Sequence, residues 1–210
     1  MPGLIEGIEA ARVAANLERA REAAGEGVEI LAATKYVPLE EMGVLEEAGV
    51  TLVGENRQQD LAAKRERWGD AFEWDFIGTL QSRKVKQLLP ICRLIHSVAT
   101  YSALEQLGRH GGPETEVLVE VNVAGEEGKA GIAPAALGPF IERCPVRVSG
   151  LMTMPPFSQD PEASRPHFAR LAGLAAEHGL ERLSMGTSQD WEVAVEEGAT
   201  IVRLGTALYM

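Results

Sequence analysis

Apolar residues recur at helical spacing from Leu4 to Ala24, at Leu4, Ile8, Ala11 and Ala15 with Glu and Arg between them, and Gly25 follows as a stop. This predicts an amphipathic amino-terminal helix. A second pattern then begins and repeats: a short apolar or β-branched run, a loop rich in Gly, Ser, Thr or Asn, and an amphipathic helix. The strand-like runs are 28–34, 51–54, 75–78, 94–98, 116–122, 146–152, 182–185 and 200–204, with helical patterns at 39–47, 58–68, 80–88, 101–109, 134–143, 162–177 and 189–196. Each run is too short for a helix and lacks strict alternation, as expected of strands buried on both faces of a parallel sheet. Eight such units in 210 residues close most naturally into a (β/α)8 TIM barrel with an extra amino-terminal helix, one domain spanning 1–210. A doubly wound sheet would need a switch point and usually fewer strands, and no G-x-G-x-x-G follows the first strand. Two loops exceed the barrel minimum. The segment 123–133 holds Gly125, Gly128 and Gly131 and is expected to be mobile, whereas 153–161 is stiffened by Pro155 and Pro156.

The formal net charge of −11 argues against nucleic acid and against an anionic membrane surface, both of which are met with an excess of Lys and Arg. A small anionic ligand stays open, because a pocket can be locally positive in an acidic protein. No apolar run approaches a membrane span and the start carries no basic segment ahead of an apolar one, so a cytoplasmic location is expected. Cys92 and Cys144 lie beside apolar segments with no CxxC partner, which suits reduced core thiols. The four histidines, His96 among them, show no ligand spacing, and no metal site is expected.

The candidate chemistry begins at Ile30-Leu31-Ala32-Ala33-Thr34-Lys35, an apolar run ending on a lysine at the strand's carboxyl end, the edge where barrels bind ligands. A desolvated ammonium is costly, and a lysine driven towards its neutral amine attacks carbonyls, forming Schiff bases with aldehydes such as pyridoxal phosphate (PLP). The plainer alternative is a lysine that snorkels out and solvates the barrel mouth. Strand seven leads into Ser184-Met185-Gly186-Thr187-Ser188, with Ser188 placed to cap a helix, and strand eight into Arg203-Leu204-Gly205-Thr206. Glycine amides, hydroxyls and a helix start make an anion cradle after strands seven and eight, where barrels commonly hold phosphate; ordinary turn chemistry competes. Arg203 lies in a run otherwise suited to burial, so it needs either a structural carboxylate partner or a ligand atom. Asn56 is placed either to cap the following helix or to touch a ligand, and Asp75, His96 and Ser97 fit turn or cap roles.

Taken together, Ala33-Thr34-Lys35, Gly54-Glu55-Asn56, the run Phe76 to Lys84, Ile95-His96-Ser97-Val98, Val121-Asn122-Val123, Gly150-Leu151-Met152-Thr153-Met154, Leu183-Ser184-Met185-Gly186 and the run Glu196 to Thr206 resemble the pyridoxal phosphate homeostasis protein family over essentially the whole length. The resemblance implies a fold similar to the barrel domain of alanine racemase, with PLP held by Lys35 as a Schiff base. It further implies that Ser184, Gly186, Gly205 and Thr206 grip the phosphate, that Arg203 faces the pyridine nitrogen and that Asn56 lines the pocket. An arginine there disfavours ring protonation, which weakens the cofactor as an electron sink and leaves carrier chemistry intact. The chain departs from the family at Thr79, often histidine, and at Val37, often a second lysine; Lys129 in the Gly-rich loop is a weak substitute. The implied role is a monomeric, cytoplasmic PLP carrier that buffers the cofactor or passes it transiently to apo PLP-dependent enzymes, without robust catalysis of its own. A PLP-dependent amino-acid racemase is the alternative. It needs a second base, in alanine racemase a tyrosine from a further domain, and here Tyr36 should point away from Lys35 if strand geometry persists. A phosphosugar-type enzyme would need Glu55 or Glu120 for proton transfer beside Lys35.

Overall fold

The predicted runs pair with their sequence neighbours and the last pairs with the first. A computed structural model, which describes residues 4–210, shows a closed barrel of parallel strands in the order β1 to β8. The strands are β1 (Glu29–Ala33), β2 (Leu52–Glu55), β3 (Glu73–Phe76), β4 (Leu94–Val98), β5 (Glu116–Glu120), β6 (Arg147–Met152), β7 (Arg182–Thr187) and β8 (Ile201–Leu204). Around them pack α1 (Ala10–Ala24), α2 (Met42–Glu47), α3 (Gln58–Trp68), α4 (Val85–Leu88), α5 (Tyr101–His110), α6 (Leu137–Glu142), α7 (Arg165–Glu177), α8 (Trp191–Glu196) and α9 (Thr206–Tyr209). Closure is set by β1 and β8, which pair from Glu29 with Ile201 to Ala32 with Leu204. That register brings the turn after β1 beside the turn after β8.

Strand parity sorts the core into two compartments, because alternate side chains point to opposite faces. One set, including Trp74, Phe76, Val117, Val119, Leu183 and Val202, packs against the helices as the main core. The other fills the lumen: Leu31, Leu52, Leu94, Leu118, Met152 and Ile201 form a separate cluster. Two residues beyond Leu94, Leu118 and Ile201 stand His96, Glu120 and Arg203, so the same parity turns three ionisable side chains inward above the apolar plug.

Several elements are shorter than the apolar pattern predicts. Helix α1 begins at Ala10 rather than Leu4 because Gly7 takes φ 70°; the preceding segment instead crosses the barrel mouth, with the Ile5 amide donating to Tyr36 O at 2.8 Å. The third strand starts two residues early, at Glu73, since its register is set by Leu52 and the side chains on its inward-facing parity, Glu73 and the buried Asp75, are charged, which no apolar pattern reveals. Helices α2, α4, α6 and α7 each follow a 3-10 turn, at Leu39–Glu41, Ser82–Lys84, Pro134–Ala136 and Pro161–Ser164. After β8, α9 adds a turn whose Leu208 carbonyl accepts from Asn16 Nδ2 at 2.8 Å, tying it to α1. The loop 123–133 is pinned rather than loose at its base, through Asn122 Nδ2 to Glu126 O at 2.8 Å and Ile132 N to Glu120 O at 2.7 Å.

One buried ion pair fixes the loops of the first two units. Lys64, on α3, bonds Glu55 at the end of β2 and donates to Thr34 O at 2.8 Å; Glu55 also accepts from Thr34 Oγ1 at 2.8 Å and from the Asn56 amide at 3.1 Å. The residues flanked by these bonds are Lys35 and Asn56. Removing one partner of a buried pair leaves an uncompensated charge. Lys64→Met is therefore expected to lower unfolding free energy by about 3–5 kcal/mol in urea titrations. Glu55→Gln combined with Lys64→Met should recover most of that loss; a single-mutant cost no larger than that of a surface pair would remove this pair from the scaffold of the site.

Candidate functional site

A cavity of about 460 Å³ opens at the carboxyl ends of the strands, within the size range of small-molecule sites. Lys35, Asn56, Arg203, Gly205 and Thr206 line it together, as do Tyr36, Thr79, Glu120 and Ser188. Ser184 and Gly186 do not. Ser184 lies beneath the cavity, fully buried and bonded to His96 and Arg203, while Gly186, at φ 88°, packs against Trp191 and Ala194 of α8. The wall expected from these two is formed by Thr187, Ser188 and Gln189, the residues at which the ladder ends and the chain turns outward.

Lys35 is not desolvated at a strand terminus. Strand β1 ends at Ala33, and the chain turns there with Val37 N donating to Thr34 O at 2.9 Å, so Lys35 stands exposed at the cavity mouth. Its Nζ lies 4.9 Å from the centroid of the Tyr36 ring. Tyr36 thus stays beside the amine instead of pointing away, because strand alternation does not extend into a turn. Val37 faces the core at 2% exposure, so this position turns away from the cavity.

Asn56 does not cap α3. Arg57 occupies that position, and the Oδ1 atom of Asn56 is buried with no hydrogen-bond partner among the described residues. An orphaned acceptor on a cavity wall is expensive unless a ligand donor completes it. The loop approach that holds it is close: a Cβ at Gly78 would lie 2.0 Å from Asn56 O, so only glycine fits there.

Ser188 likewise is no helix cap. Asp190 accepts from the Thr187 amide at 2.7 Å and from Ser164 Oγ at 2.8 Å, closing the β7 turn, and this frees Ser188 to accept from the amides of Gly205 at 2.9 Å and Ala207 at 3.1 Å. The turns after β7 and β8 are thereby stitched into one surface of N–H and hydroxyl groups. Among the described residues, no backbone carbonyl accepts from the amides of Ser188 or Thr206. An anion is the partner such a surface suits.

Between that surface and Lys35 stands Arg203, 5% exposed. Its expected carboxylate partner is missing among the described residues: Nη1 donates to Ser184 O at 2.7 Å and Oγ at 2.5 Å, and Nη2 to Thr153 O at 2.9 Å and Met154 Sδ at 2.9 Å. Burial lowers its pKa to about 10, opposed by the charges of Glu120 and Asp190. Glu120, also in the cavity, is pushed above the usual carboxylate range by burial, with Arg203 pulling the other way. Glu55, by contrast, is consumed by Lys64 and lies outside the lining, and Lys129 pairs with Glu126 at 3.2 Å in its own loop. Cys92 and Cys144 are free thiols raised by burial, and no cluster of metal-ligating side chains occurs among the described residues. The roles of Ser188, Asp190 and His96 were hidden from sequence reasoning, since a serine after a glycine and a histidine in a strand also fit caps and cores.

The family model "Alanine racemase, N-terminal domain" matches residues 8–210, the whole of this closed parallel barrel. The chain belongs to the pyridoxal phosphate homeostasis protein family within that class. The pyridoxal phosphate homeostasis protein of Aquifex aeolicus is 41% identical over 94% of each chain, and that of Pseudomonas aeruginosa 37% identical over 95% of this chain and 92% of the relative. The structure of PipY from Synechococcus elongatus, with PLP bound, matches with a TM-score of 0.84 at 30% identity, covering 94% of this chain and 100% of that one. Alanine racemase from Corynebacterium glutamicum shares the fold, with a TM-score of 0.77 at 15% identity over 96% of this chain and 61% of its own.

The raised Glu120 carboxyl has a thermodynamic consequence. The native state holds this proton more tightly than the unfolded chain, so stability falls as pH rises from the ordinary value of 4.5 through the raised one. Glu120→Gln removes that slope. The stability of the variant relative to wild type is expected to grow as pH climbs from about 4.5 to neutrality. Urea titrations across that range check it, and a constant difference would mean that Glu120 ionises as freely in the barrel as in the unfolded chain.

Proposed function

We propose that the chain holds PLP through Lys35 and buffers it or passes it on, with no robust catalysis of its own. The observation that carries this reading is the placement of an accessible primary amine, a buried guanidinium and an anion-ready pair of turns around one cavity of about 460 Å³. The names of the relatives and the PLP-bound neighbour point the same way.

When bound, PLP supplies an aldehyde to an amine and an anionic phosphate to donors. Ser188 and Thr206 supply the donors through amides and hydroxyls at the junction of β7 and β8, Gly205 shapes the turn with its amide held by Ser188 Oγ, and Ser184 and Gly186 support that junction from below. Arg203 offers guanidinium N–H groups to the ring nitrogen and, as a permanent cation, keeps a proton off it. Asn56 gains a partner for its buried oxygen. Lys35, exposed at the mouth, can meet a ligand arriving from solvent and can release one to it, which suits a carrier. We further read the protein as a cytoplasmic monomer whose other partners are apo PLP-dependent enzymes met transiently; no helix among the described residues is long and apolar enough to cross a membrane.

A racemase reading finds less support. It needs a second base across the cofactor, and Tyr209 is not free for that role: its hydroxyl donates to Ala33 O at 3.2 Å, and burial, together with the Glu55 charge, raises its pKa. Tyr36 sits on the same turn as Lys35.

Mixing the purified chain with PLP should produce a visible absorption band that survives dialysis, and borohydride should fix a pyridoxyl group on Lys35 by peptide mapping. Lys35→Ala should lose both while keeping its circular dichroism; a wild type that stays colourless contradicts the proposal. Alanine racemisation is expected to match the Lys35→Ala control, and any Lys35-dependent excess would favour the racemase reading instead.

A further inference from the structure

The function proposed above does not use His96, yet this side chain is at the centre of a polar chain that runs through the lumen from Arg93 to Arg203. Arg93, just before β4, grips Asp75 with Nε to Oδ1 at 3.0 Å and Nη2 to Oδ2 at 2.7 Å, and reaches Glu29 at 2.6 Å. Asp75 Oδ2 meets His96 Nε2 at 3.0 Å; His96 Nδ1 meets Ser184 Oγ at 2.9 Å; Ser184 Oγ meets Arg203 Nη1 at 2.5 Å. Asp75, His96 and Ser184 are all 0% exposed, so no solvent proton competes along this path.

The inventory of donors and acceptors gives the chain one direction. Burial opposes ionisation of Asp75, but the hydrogen bond from His96 and the bonds and charge of Arg93 outweigh it and hold the carboxyl below its usual value. An ionised carboxylate only accepts, so His96 Nε2 carries a proton. Burial keeps the ring neutral against the pull of Asp75, and the Arg203 and Arg93 charges act in the same sense as burial. A neutral ring protonated at Nε2 has a bare Nδ1, which takes the single hydroxyl proton of Ser184. The serine oxygen is then left with lone pairs alone, and they face Arg203, a residue that can only donate.

We propose that His96 is a positioning residue for ligand capture: as the Nε2–H tautomer it orients Ser184 so that the serine anchors Nη1 of Arg203, which decides the guanidinium N–H groups left facing the cavity. The proposal rests on the PLP reading for what those groups contact, though not for the anchor itself. Nη1 spends both protons on Ser184 and Nη2 spends one on Thr153 O. What remains is Nε–H and the Nη2 proton now on the Met154 thioether, a weak acceptor that a ligand atom displaces easily. Without the anchor the guanidinium is free to rotate, and the donor presented to an aromatic nitrogen is no longer fixed.

The test has one arm without cofactor and one with it. In the apo protein, long-range nitrogen–proton NMR should show His96 as the Nε2–H tautomer. Arg203 should give separate Nη resonances from slow guanidinium rotation, averaging in Ser184→Ala and in His96→Leu. A doubly protonated or Nδ1–H ring, or Arg203 resonances that Ser184→Ala leaves unchanged, overturns the anchor whether or not PLP binds. In the loaded protein, Ser184→Ala and His96→Leu should weaken PLP binding about tenfold and shift the visible band in the same direction as Arg203→Met, and the His96→Leu, Arg203→Met double variant should shift no further. Ser184→Ala keeps the buried Asp75 satisfied, so it decides the matter even if His96→Leu fails to fold. A folded Ser184→Ala with wild-type affinity and spectrum refutes the positioning role, whereas a wild type that takes up no PLP refutes the cofactor reading and leaves the apo arm to judge the anchor.

Discussion

A guanidinium in the lumen of a parallel barrel constrains everything around it. Arg203 cannot shed its charge within the neutral range and carries five donors, so the lumen must supply acceptors in a fixed fork or the strand would not tolerate it. It finds them in the carbonyls of Ser184 and Thr153, the hydroxyl of Ser184 and the sulfur of Met154, all neutral. A carboxylate partner would have been the common solution, and Glu120 is near enough to raise the arginine's proton affinity without bonding to it. Because charge on Arg203 is dispersed over dipoles rather than cancelled by an anion, the upper lumen keeps a positive character within a chain of net charge −11. An acidic protein can thereby concentrate a small anion at one point while repelling polyanions from the rest of its surface.

The architecture was legible in the sequence because a parallel barrel writes each unit twice, once as an apolar run and once as an amphipathic helix. Helix α3 and strand β4 match the predicted spans of 58–68 and 94–98. The failures have a common physical source. Glycine at φ 70° delayed the start of α1, 3-10 turns consumed the first residues of several helices, and the charged Glu73 and Asp75 hid the start of β3 although Trp74 and Phe76 face the outer core. Periodicity reports which residues are apolar; it is silent where an inward position is polar, and inward polar positions are what make this lumen a site.

The candidate site was legible in part for the same reason. Lys35, Asn56, Arg203, Gly205 and Thr206 stand where strand ends place them, and the cavity gathers all five. Ser184 and Gly186 were assigned to the wall because serine and glycine after a strand look alike in sequence wherever the strand stops. Two more ladder residues, to Thr187, moved the wall on to Ser188. Lys35 shows the opposite error: the strand stops before the lysine, so the amine sits in a turn and in water.

That exposed amine changes what the barrel is suited to. An enzyme that works repeatedly on a bound cofactor gains from a dry site in which groups are held ready on both faces. Here the Lys35 amine stands at the rim, the Tyr36 phenol shares its turn, and the one buried phenol among the described residues, Tyr209, is tied to Ala33 O. The parts fixed by hydrogen bonds lie around the cavity: the stitched β7 and β8 turns, the Lys64–Glu55 pair beneath the first two loops, and the Arg203 fork. On the proposed reading, preorganised recognition with an accessible point of attachment favours selective capture and release, because the donors meant for phosphate and ring stay in place while the amine exchanges its partner at the surface. Repeated catalysis on a held cofactor favours an amine shielded from solvent, and Lys35, exposed in its turn, is not placed that way.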